Sequence, residues 1–118
     1  MSTTLYGISN CDAVKKARNW LDKHGIVYHF HDFRKDGLDI TLIKSWLTYV
    51  GSDTLINKRG TTFRNLSASN KLRIEKDPHG ILQEYPTLIK RPVLNTGKQL
   101  FVGFSETQYQ SLFRTHTL

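Results

Sequence analysis

Cysteine is almost absent from this chain: among its 118 residues there is one, Cys11. A single thiol cannot close an internal disulfide, and it leaves no Cys/His pattern of zinc-binding spacing, so no metal site is expected. Long apolar runs are missing as well. No stretch approaches the roughly 20 residues that a bilayer crossing requires. The start, MSTTLYGISN, lacks the basic segment followed by an apolar one that marks a secretory signal. The expected address is therefore cytoplasmic. Acidic side chains are also scarce, 10 against 17 lysines and arginines, for a net charge of +7. Such an excess ordinarily points to an anionic partner such as nucleic acid. Its distribution argues otherwise: residues 1–59 carry 9 basic and 6 acidic side chains, and residues 60–118 carry 8 and 4. The charge is spread along the chain, and no helix-turn-helix signature accompanies it.

What is present is a hydrophobic content of 38%, with 2 Trp, 5 Tyr and 6 Phe, enough for a real core. The length predicts one domain over residues 1–118. Thr4 to Ile8 (TLYGI) reads as a short buried strand, with a turn at Ser9 and Asn10. From Asp12 to His24 the pattern takes a 3.6-residue period, with Ala13, Val14, Ala17, Trp20 and Leu21 on one side. Gly25 stops this helix, and Ile26 to His31 (IVYHFH) returns to strand chemistry. HDFRKDG (31–37) reads as a charged turn, after which Asp39 caps a helix over about Ile40 to Val50 that Gly51 ends. Between Ser52 and Lys90 the apolar residues suit several short helices broken by Gly60, Pro78, Gly80 and Pro86. PVLN and KQLFVGF, joined around Thr96 and Gly97, form a hairpin. Ser105 followed by Gln108 is a capping box for a last helix carrying Tyr109, Leu112 and Phe113. The order β α β, helices, β β, α is that of an α/β thioredoxin-like fold, with a four-stranded mixed sheet and a helical insertion between the second and third strands.

Cys11 falls between the first strand and the first helix, where unpaired backbone amides and the helix dipole favour an anion. Lys15, one turn on, adds positive charge on the same side. Free cysteine is among the most buried residue types, so a packing role is the bland alternative. The placement favours a reactive thiol, because redox cysteines and phosphate loops both occupy strand-to-helix junctions. Arg91 directly precedes Pro92 at the start of the third strand. That proline can be a simple strand boundary. It can also be a cis bond that sets the planar, five-donor guanidinium beside the helix start. His29 and His31 alternate on the second strand, where a pair of partly exposed histidines is the expectation rather than a metal site.

Three segments, LYGISNCDAVKKARNWLDKHGIVYHFHDFRKDG, LINKRGTTFRNL (55–66) and IKRPVL (89–94), together resemble the arsenate reductase (ArsC)/Spx family, and most closely its YffB-like branch. The resemblance implies a catalytic cysteine at Cys11, and an arginine followed by a cis-proline at Arg91 and Pro92. It also implies a glutathione-dependent thiol reductase. Spx-type regulators carry a Cys-x-x-Cys pair, but position 14 here is Val14, so that internal switch cannot form. Arsenate reductases surround their cysteine with three arginines. Here Asn57 takes one of those positions, with Lys58, Arg59 and Arg64 close by in sequence, and Gly103 and Phe104 stand where an arginine and a proline are expected. The chain therefore reads as an oxidoreductase using the Cys11 thiolate, rather than as an arsenate reductase proper. Arg91 assists catalysis, and Asn10, Asp12, Lys15, Arg59 and Pro92 are candidates for binding glutathione. No tightly bound cofactor is expected. Glutathione or another small thiol is the co-substrate, glutaredoxin a candidate protein partner, and the chain a monomer acting without nucleic acid or membrane. The alternative is a non-enzymatic Spx-like regulator that binds RNA polymerase or another protein.

Overall fold

A computed structural model describes residues 2–113. In chain order its elements are β1 (Thr4–Gly7), α1 (Asp12–Lys23), β2 (His29–Asp32), α2 (Phe33–Asp36), α3 (Ile40–Val50), α4 (Ser52–Leu55), α5 (Thr61–Arg64), α6 (Ala68–Lys76), α7 (Pro78–Glu84), a 3-10 turn (Pro86–Leu88), β3 (Val93–Asn95), β4 (Leu100–Val102) and α8 (Glu106–Leu112). They sort into two compact units, one running through Asp32 and resuming at Arg91, the other spanning Phe33–Lys90.

The first unit holds the sheet, in the order β2-β1-β3-β4. β1 pairs with β2 in parallel, whereas β1–β3 and β3–β4 are antiparallel. This is the thioredoxin-like arrangement, and its two central strands, β1 and β3, carry the fully buried Leu5, Val93 and Leu94. Leu5 and Leu94, partners in the β1–β3 ladder, are both completely buried. Against them pack Ala17, Trp20 and Leu21 of α1, together with Tyr109 and Phe113. Tyr109 stands edge-on to Trp20, Phe101 and Phe104, an arrangement that aromatic quadrupoles favour. The α1 stripe predicted from periodicity is thus the buried one.

α1 ends in a Schellman motif. Gly25 takes φ +69, its amide donates to Asp22 O, and the Ile26 amide donates to Leu21 O at 2.9 Å. Those bonds hold Ile26 outside any sheet, so β2 begins at His29 rather than at Ile26. Val27, which alternation placed in the strand, is 91% exposed. The segment predicted as a charged turn also divides. His31 and Asp32 finish β2, and Phe33–Asp36 makes one turn of helix, because Phe33 is apolar enough to be buried.

The second unit is helical. α3 packs on α7, and its buried residues are Ile43 and Trp46. Asp39 caps α3 by accepting from the Thr41 amide at 3.0 Å, and Gly51 at φ +83 closes it. Gly60 and Pro86 mark boundaries as predicted, but Gly80 lies inside α7. Asp77 explains the difference: it caps α7 by accepting from the Gly80 amide, with Pro78 at the first helical position. Ile56 and Ile89 form an isolated antiparallel bridge in a region predicted to contain no strand.

The last helix starts as its capping signature predicts, with Ser105 Oγ accepting from the Gln108 amide. Ser105→Ala is expected to cost about 1 kcal/mol, read as a lower thermal midpoint with unchanged thiol chemistry. Among the described residues, no helix is long and apolar enough to cross a membrane.

Candidate active site

The junction between β1 and α1 is built from few bonds. After β1 the chain makes an exposed turn at Ser9 and Asn10, closed by the Cys11 amide donating to Ile8 O at 3.2 Å. Cys11 is then the N-cap of α1, with extended backbone (φ −97°, ψ 129°), and its carbonyl accepts the first helical bond from the Lys15 amide. A cap is normally Ser, Thr, Asp or Asn. Cysteine there brings a partly exposed sulfur to the point where the amides of α1 are unpaired.

Arg91 reaches the same place from the sheet. The Arg91–Pro92 bond is cis, Pro92 is buried, and Pro92 O accepts from the Gly103 amide at 2.8 Å. Val93, the next residue, faces Tyr6 in the β1–β3 ladder, so Arg91 emerges beside the strand that leads to Cys11. Its guanidinium donates to the Cys11 thiol.

Burial works against ionisation of that thiol and is the largest single influence. It is outweighed by the Val14 amide, by the hydrogen bond and charge of Arg91, and by the Ala13 amide, which together hold Cys11 below its ordinary value. The thiol makes no side-chain capping hydrogen bond of ordinary geometry, so the amides act as oriented dipoles aimed at developing negative charge. A thiolate is the nucleophilic form of cysteine, and this site favours it.

The structure brings together Cys11, Arg91 and Pro92. Asn10 and Asp12 flank the cysteine and Lys15 follows one turn later, all three exposed. Arg59 lies in the helical unit, exposed, with its amide donating to Asn57 Oδ1 at 3.1 Å. Lys58 of the same loop stands 3.7 Å from Asp53. Phe104 packs edge-on to Tyr109 at 4.9 Å between ring centroids. His31 rests against the Tyr6 ring at 5.0 Å, and His29 is exposed. Sequence reasoning found the thiol, the arginine and the helix-start amides. It gave no role to Gly7, which leaves room for the Val14 side chain against β1.

A sequence profile of the ArsC family matches residues 6–112. An uncharacterized protein of Haemophilus influenzae is 46% identical over 111 residues, which cover 93% of this chain and 97% of that one. The global transcriptional regulator Spx of Bacillus subtilis is 32% identical over 107 residues, covering 89% and 82%. Among solved structures, the YFFB protein superimposes with a TM-score of 0.88 at 40% identity, covering 93% of this chain and 97% of its own.

Proposed function

This chain belongs to the ArsC family, and from that premise we propose that it is a glutathione-dependent thiol oxidoreductase whose nucleophile is Cys11. The observation that carries the reading is the meeting of a partly exposed thiol at the start of α1 with the Arg91 guanidinium. The substrate is a disulfide joining glutathione to a second thiol. The Cys11 thiolate attacks the glutathione sulfur, the S–S bond breaks, and the second thiol leaves as its thiolate and takes a proton from water. A second glutathione, as thiolate, then attacks the glutathione sulfur bound to Cys11. Glutathione disulfide leaves, and the Cys11 thiolate is restored. The two electrons that reduce the substrate come from glutathione, so the chain needs no cysteine of its own for the second step. Asn10 and Asp12 adjoin Cys11 in the chain, Pro92 follows Arg91, and the exposed Lys15 one turn on suits a carboxylate of glutathione.

Alkylation of Cys11 by iodoacetamide, followed against pH, tests the thiolate, and intact mass after exposure to oxidised glutathione tests the adduct. The expected outcome is a midpoint below that of free cysteine and one glutathione per chain, absent in Cys11→Ser. An ordinary midpoint with no adduct removes the proposal. The 32% identity to Spx favours a second reading, a regulator acting through protein contacts. Catalytic turnover of a glutathione mixed disulfide separates the two: an enzyme consumes many equivalents, a regulator at most one.

A further inference from the structure

Gly7 and Val14 meet at the joint between β1 and α1. Gly7 is the last residue of β1 and is buried, while Val14 lies in the first turn of α1 and is 0% exposed. A β-carbon placed on Gly7 would stand 2.6 Å from Val14 Cγ2, 3.3 Å from Cγ1 and 3.6 Å from Cβ. Carbon atoms in contact keep about 3.5–4.0 Å, so the closest approach is deep in repulsion. The backbone offers no other reason for a glycine: Gly7 is not among the glycines with positive φ, which are Gly25, Gly37, Gly51, Gly97 and Gly103. The position is glycine for room.

Val14 cannot supply that room by moving its own side chain. A β-branched residue in a helix has one strongly preferred χ1, so turning Cγ2 away from the intruding carbon means leaving that rotamer. Its surroundings are closed, because it has no exposed surface. A side chain at position 7 is therefore accommodated by lifting the first turn of α1 off β1. That turn carries Cys11 and the amides of Ala13 and Val14. Arg91 stays behind, since it is tied to the sheet through the Tyr6–Val93 pairing.

We infer that Gly7 is a positioning residue for Cys11: the space it leaves for Val14 seats α1 on β1 at the depth that brings the thiol to the Arg91 guanidinium. The inference rests on the reading of Cys11 as a reactive thiolate and extends it to a residue that touches neither thiol nor substrate.

The test measures thiolate absorbance and iodoacetamide alkylation against pH in the wild-type chain, Gly7→Ala, Val14→Ala and the double variant, with circular dichroism as the check of folding. Val14→Ala keeps the backbone amide that faces the thiol and removes the methyls that Gly7 clears, so it is the reference for the double variant. Gly7→Ala should alkylate up to about tenfold more slowly than the wild type near neutral pH, the change expected if the midpoint rises by about one pH unit. The double variant, in which the clash is gone, should alkylate at the rate of Val14→Ala. Gly7→Ala alkylating at the wild-type rate overturns the inference, as does a double variant slower than Val14→Ala or no faster than Gly7→Ala. If Gly7→Ala does not fold, the double variant decides: folded with the thiol midpoint of Val14→Ala it supports the inference, and otherwise it ends it. A wild-type thiol that titrates like free cysteine is a different result, which removes the thiolate reading itself.

Discussion

Arg91→Ala should raise the titration midpoint of Cys11 and slow its alkylation near neutral pH, by up to about tenfold for each pH unit gained. The guanidinium acts on the thiol twice, as a hydrogen-bond donor and as a charge, whereas the amides of Val14 and Ala13 act without a formal charge. Removing it leaves burial, which raises the midpoint, opposed by dipoles alone. Arg91→Lys keeps a positive charge but loses the planar fork, so it should fall between alanine and wild type. Equal rates for all three would show that Arg91 faces away from the sulfur in solution. The same coupling gives stability a pH dependence of fixed sign. The thiol is held lower in the folded chain than in the unfolded one, so the stabilisation is complete above the unfolded midpoint and disappears as the pH falls through the folded one. Chemical denaturation at two pH values spanning that window should show the difference in the wild type and less of it in Arg91→Ala.

The largest effect on stability is expected from Trp46→Ala. Trp46 is 1% exposed on α3, with its ring centroid 6.3 Å from that of Phe33, in a unit whose other buried residues are mostly Leu and Ile. Truncating a buried tryptophan removes its transfer free energy and leaves a cavity, together costing about 3–5 kcal/mol. A domain of ordinary stability has about 5–15 kcal/mol in all, so the variant should unfold at much lower urea, and Trp46→Phe should recover a good part of the loss. A change under about 1 kcal/mol would mean that the helical unit closes over the gap.

Much of the fold could be read from single residues. Val14, Ala17, Trp20 and Leu21 announce α1 because four apolar side chains at helical spacing have only one common face. Gly25 and Gly51 end helices where only a left-handed residue continues the chain. β2 was harder, because alternation in IVYHFH has no preferred starting point. The start is set by the Ile26 amide turning back to Leu21 O and by the pairing of His29 with Thr4, both of which depend on atoms outside the segment. Asp77 was overlooked for a related reason: a cap lying directly before a proline looks like a break. At the site, the thiol and Arg91 were visible as residue types at characteristic positions. The seat of α1 was not, since the value of Gly7 lies in keeping a β-carbon away from a methyl of a residue seven positions on.

That enclosed valine also sets the kinetic order of whatever follows oxidation of Cys11. Three positions after a cysteine, a second thiol would resolve an adduct within the molecule, at a rate indifferent to its surroundings. With valine there and no other cysteine in the chain, release in the proposed reaction is second order, so the lifetime of the adduct would lengthen as the external thiol is diluted.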